Sequence, residues 1–199
     1  DIDVDETNAV TLTNITAADG SVTVDAGGAI SATSVVSSTD ADANDISLTT
    51  TSGDINVVTI TAGSLGDVSL TSAAAINDDG TAATLITAED LALRAATGIG
   101  SNDALDTVIS NLAFTNNTSG DVNISNTGGL TIASVDGITS SNNTGGGVTL
   151  SATSPVTFAV DLTASGNILV QAIESAATDF DNITVNAAVT VESTGGNIT

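Results

Sequence analysis

The chain predicts an all-β solenoid, a parallel β-helix of about nine stacked rungs. Three observations lead there. Apolar-polar-apolar triplets recur along all 199 residues. Gly, Ser, Thr, Asn and Asp fill the gaps between them, and these residues favour turns. Finally, the chain is 41% hydrophobic but only 2% aromatic. Its interior must therefore be layered from Val, Ile, Leu and Ala rather than filled by large rings.

The triplets align on their first aliphatic residue: Ile2 (DIDV), Val22 (GSVTV), Ile46 (NDISL), Val68 (GDVSL), Leu91 (EDLAL), Val122 (GDVNI), Val148 (GGVTL), Ile168 (GNILV), Ile183 (DNITV) and Ile198 (GNI). Successive starts are 20, 24, 22, 23, 31, 26, 20, 15 and 15 residues apart. A second aliphatic follows eight residues later in most phrases, as from Ile2 to Val10, Val68 to Ile76 and Leu91 to Ile99. Third positions are Ile15, Val35, Ile60, Leu85, Leu105, Val135 and Leu162. Within a triplet the two aliphatics share one side of a strand, because side chains alternate with period two. One such short strand cannot bury its own face, and stacking rungs completes both core and backbone ladder. Rungs spaced by roughly 4.8 Å give a rod on the order of 45 Å long, read as one segment over residues 1–199.

A β-sandwich also has many short strands, but its strands are usually longer and its core holds rings. The stretch DALDTVISNLAF (103–114) has apolar residues at both helical and strand spacing. Its Thr, Val, Ile, Ser and Asn are poor helix formers, so strand is expected, with a short helix as the alternative.

Charge narrows function. Formal net charge is −23, with Arg94 the one basic residue. Nothing is present to neutralise phosphate, which argues against nucleic acid and against anionic membrane surfaces. Divalent cations or basic surfaces suit such a chain better. No apolar run reaches the 18 residues that suggest a membrane span. There is no signal peptide and no initiator Met, so the chain reads as a mature form or an interior segment of a longer protein. Zero Cys excludes a disulfide framework.

The residue before each first aliphatic is the leading site candidate. From the third rung it runs Asp45, Asp67, Asp90, Asp121, then Gly147, Asn167, Asn182 and Asn197. In register, four carboxylates would form a column, each adjacent pair costing about 1 kcal/mol in water. Either backbone N–H groups in the turns offset this, or a bridging cation does, Ca²⁺ being the natural one. Asp40-x-Asp42-x-Asn44-Asp45 imitates the first half of a calcium loop. It lacks the sixth-position Gly and twelfth-position Glu. Arg94 suits an ion pair with a neighbouring rung's acid. Asn-x-Ser/Thr triplets at Asn14, Asn116, Asn117, Asn123, Asn142, Asn182 and Asn197 are common in so Asn- and Thr-rich a chain. The loops around Asn116-Asn117 and Asn142-Asn143 are expected to protrude.

Enzymes also occur on β-helices, typically polysaccharide lyases and hydrolases. Those need paired carboxylates in a groove, or a Lys or Arg base with Ca²⁺. This chain has no His, Lys, Tyr or Trp.

The run LALRAATGIGSNDALDTVISNLAFTNNTSGDVNISNTGGLTI (91–132) resembles repeats of large bacterial surface proteins, the filamentous-haemagglutinin-like and autotransporter-type β-strand repeat families. The resemblance implies secretion, a right-handed β-helix, and service as an adhesin shaft or extracellular scaffold. It transfers no catalytic residues. The expectation is thus a non-enzymatic extracellular structural or adhesive rod, which continues into a longer chain or joins copies end to end and presents itself to a host or cell-surface ligand. The alternatives are a Ca²⁺-dependent binding module and, more remotely, a polysaccharide-degrading enzyme.

Overall fold

Apolar-polar-apolar triplets become strands, and each turn of backbone lies on the one before. The computed structural model describes residues 1–81, 85–173 and 181–199. Four turns share one plan, a longer strand followed by two short ones. They are β1 (Ile2–Glu6), β2 (Val10–Leu12) and β3 (Ile15–Ala17); β4 (Val22–Ala26), β5 (Ile30–Ala32) and β6 (Val35–Ser37); β7 (Ile46–Thr50), β8 (Ile55–Val57) and β9 (Ile60–Thr61); β10 (Val68–Thr71), β11 (Ile76–Asn77) and β12 (Ile86–Thr87). A transition follows: β13 (Asp90–Ala95), β14 (Leu105–Val108), β15 (Asn111–Asn116) and β16 (Val122–Asn126). The plan then resumes with β17 (Leu130–Ile132), β18 (Ser141–Asn143), β19 (Val148–Ala152), β20 (Val156–Phe158), β21 (Leu162–Ala164), β22 (Ile168–Ala172), β23 (Ile183–Val185) and β24 (Val191–Ser193).

Every strand pairs in parallel, and no helix forms among the described residues. This is the predicted β-solenoid and rules out two opposed antiparallel layers. Nine strands stack on one face in the order β1-β4-β7-β10-β13-β15-β17-β20-β23, about eight turns from first to last. Residues 105–108 and 111–116 are strands, as expected of the ambiguous stretch. Inward side chains form continuous columns. One is Ile2, Val22, Ile46, Val68, Leu91, Leu112, Ile132, Phe158 and Val185. Its members from Val22 to Phe158 are essentially buried, and each completes the hydrophobic face of the next.

The columns correct the alignment by phrases. Val122, Val148, Ile168 and Ile198 do not stack over Leu91. They continue the second-aliphatic column, Val10, Ile30, Ile55, Ile76 and Ile99, on a different face. The strand over Leu91 is β15, whose phrase SNLAF lacks the Gly-Asp signature. The longer strand therefore changes face midway. On the first face it is β1, β4, β7, β10, β13 and β15; from there on it is β16, β19 and β22. The face of β15 splits between two short strands, with Asn111-Leu112 pairing β17 and Thr115-Asn116 pairing β18. Val135 is also corrected. It is no third core position, because residues 133–140 leave the ladder at the split and return at Ser141.

Candidate functional site

One outward row on the face of β7, β10, β13 and β15 is made of small residues. Ser47, Ser69, Ala92 and Ala113 stack in register as one shallow groove. The excursion between β17 and β18 lies along it. Its tip is a two-residue turn, with Asp136 at φ 45° and Gly137 at φ 77°. Positive φ at both central residues is the hairpin turn that Asp-Gly favours. Val135 and Ile138 exchange backbone hydrogen bonds at 3.2 and 2.8 Å. Their side chains pack on Ala92 and Ala113 as a small apolar cluster separate from the core. Ala92 and Ala113 face outward yet are 0% exposed.

The hairpin tip is pinned by charge. Arg94 Nη1 donates to Asp136 Oδ2 at 2.8 Å, and Nη2 donates to the Asp136 carbonyl. Ser69 Oγ donates to the same carboxylate at 3.0 Å. The expected ion pair of Arg94 is therefore present, but its acid belongs to the excursion rather than to a neighbouring strand. Beyond the tip, Asp45, Asp67, Asp136, Ser47, Ser69 and Val135 line an acidic groove of about 270 Å³.

Three of the four predicted column carboxylates do stack. Ladder order places Asp1, Ser21, Asp45 and Asp67 just before, and Asp90 and Asn111 at the first position of, successive strands of one face. Each side chain accepts a hydrogen from the turn above: Ser21 N to Asp1 Oδ1 (2.9 Å), Asp45 N to Ser21 Oγ (3.2 Å), Asp67 N to Asp45 Oδ1 (3.1 Å), Asp90 N to Asp67 Oδ1 (3.3 Å) and Asn111 Nδ2 to Asp90 Oδ1 (2.7 Å). Backbone N–H groups of the adjoining rung thus compensate Asp45 and Asp67, and the Asn111 side-chain amide compensates Asp90. Asp121 stands in the other column, where its Oδ1 accepts from Gly147 N at 2.7 Å. The face change separates it from Asp90.

The column still carries strain in its charge. Burial, then Asp90 and Asp45, then Glu89 push the Asp67 carboxyl up to about 6. Asp78 is also raised, by burial first and then by Asp79, Asp103 and Asp106, although the Gly80 N–H opposes this. The calcium-loop imitation is dispersed. Asp40 accepts from Ser64 Oγ (2.7 Å) and Leu65 N (2.8 Å) in the next turn, and the Ser64 bond chiefly holds its carboxyl below the usual range. Asn44 is buried and donates to Asp19 Oδ1 and Thr39 O, both at 3.0 Å. Asp42 is exposed. Among the described residues no group of three or more His, Cys, Asp or Glu is arranged to hold a metal ion.

The sequence reading missed a set of buried amides. Of the loops expected to protrude around Asn116-Asn117 and Asn142-Asn143, Asn116, Asn142 and Asn143 are strand, with Asn116 and Asn143 buried in a corner of the coil, whereas Asn117 lies past the strand end and is exposed. Asn116 accepts from Gly98 N and donates to Ser119 O, Gly120 O and Asn143 Oδ1, all at 2.9–3.0 Å. Asn126 does the same at another corner, accepting from Ile109 N and Thr107 Oγ1. An Asn ending a triplet phrase, as in NLAFTN and VNISN, is the signal that pointed there.

No family model, curated protein or solved structure matches the chain. No helix among the described residues is long and apolar enough to cross a membrane.

Proposed function

We propose that this chain is a non-enzymatic structural rod of the extracellular, bacterial-surface kind, serving as shaft, scaffold or adhesive filament. The observation that carries this reading is the parallel ladder of nine strands on one face, sealed by aliphatic columns. Interlocked hydrogen bonds and side chains in every turn resist bending. The outer walls carry most of 24 acidic residues against one Arg, so like-charged rods repel sideways. At the last described rung Ile183, Val185 and Ile198 are 49–52% exposed. A further rung of the same plan, from continuing chain or another copy, would cover them and pair the ladder edge. The resemblance of residues 91–132 to surface-protein repeats agrees with this reading. Electron microscopy of the native material tests it: long uniform rods or fibres are expected, and isolated compact particles would overturn it.

A Ca²⁺-dependent module is the second reading. Its support is the crowded Asp45–Asp67–Asp90 column, whose repulsion a bound cation would relieve. Calorimetric titration with Ca²⁺ decides it: absence of heat and of any melting shift removes this version and leaves the rod untouched.

A further inference from the structure

Two unusual allocations meet at the 133–140 hairpin. The chain's single basic side chain sits there, and so do two outward Ala positions that the hairpin covers completely. A hairpin that merely occupied spare length would need neither. We propose that this hairpin is an openable strap across the transition, held shut by Arg94 and by the Ala92–Ala113 seat.

The geometry makes opening local. Ala92 and Ala113 point away from the interior, while Leu91, Leu93, Leu112 and Phe114 of the same strands point into it. Lifting the hairpin therefore leaves the core and the β13–β15 ladder whole. At the split, Ser141 is buried and its Oγ accepts from Phe114 N at 3.2 Å, which anchors the returning chain below the hairpin. The grip itself is modest. It consists of four small or medium apolar side chains, the Ser69 hydroxyl bond to Asp136, and Arg94 bound to the Asp136 carboxylate and carbonyl in an ion pair whose partners are 30% and 56% exposed. Such a pair weakens with added salt, and segments held by few buried contacts open independently of the whole. When open, the strap bares an uncharged strip and releases the one basic side chain of an acidic rod, so its state changes what that face can adhere to. The inference rests on the hairpin alone and stands whether or not the rod is a surface fibre.

Residue-resolved hydrogen exchange on the full chain tests it. The amides of Val135 and Ile138 are expected to exchange about two- to fivefold faster in Arg94→Gln, and likewise in the unaltered protein at about 1 M salt. Leu93 and Leu112 should not change in either case. If the hairpin amides ignore both perturbations, or exchange together with Leu93 and Leu112 as one unit, the strap is refuted. The salt arm needs no variant, so a misfolded Arg94→Gln does not obscure the result.

Discussion

The backbone N–H of Asp67 donates to Oδ1 of Asp45, one turn below, at 3.1 Å. The same bond recurs from Asp90 N to Asp67. A ladder of side-chain acceptors thus runs beside the backbone ladder, and its middle carboxylate is flanked by charge on both sides.

That position sets a pH dependence. Asp67 is raised from 3.8 to about 6 in the fold, so the folded state binds its proton more tightly than the unfolded chain. The resulting stabilisation is fully present below the unfolded value and is lost as pH rises through the folded one. Melting temperature should fall between about pH 4 and pH 7 on this account, with Asp78 contributing in the same direction. Because Asp67 is only half-buried, solvent screening leaves on the order of 1 kcal/mol. Asp67→Asn keeps the acceptor for Asp90 N and should flatten the profile and raise the melting temperature near pH 7. An unchanged profile would contradict the charge account.

Asn116 is a corner bolt. Asn116→Ala takes the side-chain partner from the Gly98 N–H, the Ser119 carbonyl and Asn143 Oδ1, while the Gly120 carbonyl keeps Asn143 Nδ2. Unpaired buried groups cost about 1–3 kcal/mol each, so a loss of at least about 2 kcal/mol is expected in urea denaturation. Asn143→Ala should be similar. The double variant should fall short of the sum, because Asn116 Nδ2 donates to Asn143 Oδ1.

Phe114 fills the interior at the transition and is fully buried. Phe114→Ala should cost about 3–5 kcal/mol by denaturant titration. Ala113→Leu, one residue away but facing out, should instead displace the hairpin. It should leave core amides protected while those of Val135 and Ile138 lose protection.

Trypsin supplies a further check. Its one site follows Arg94, the penultimate residue of β13, with the guanidinium bound to Asp136. The folded protein should resist cleavage for hours under conditions where the urea-unfolded chain is cut into two fragments. Rapid cutting of the folded form would mean that β13 is not held in the ladder.

Much of this architecture was legible from residue order. Short aliphatic triplets with period two, spaced by turn formers, admit few folds other than stacked rungs, and most of the predicted inward positions face inward. The candidate site was legible only in part. Asp45, Asp67 and Asp90 stack as read, whereas Asp121 does not, because GDVSL and GDVNI are locally equivalent phrases on different faces. Asp136-Gly137 between Val135 and Ile138 carries a hairpin signature, yet Val135 also fits a core position by spacing alone.

Sequence by itself determined that the backbone would coil in parallel turns around aliphatic layers, since period and turn composition act over a few residues. Only the tertiary structure decided which phrases superpose, where the longer strand changes face, and what the outward Ala92 and Ala113 are for. Those depend on how many residues each corner consumes and on contacts between Arg94 and Asp136, 42 positions apart, which no local pattern records.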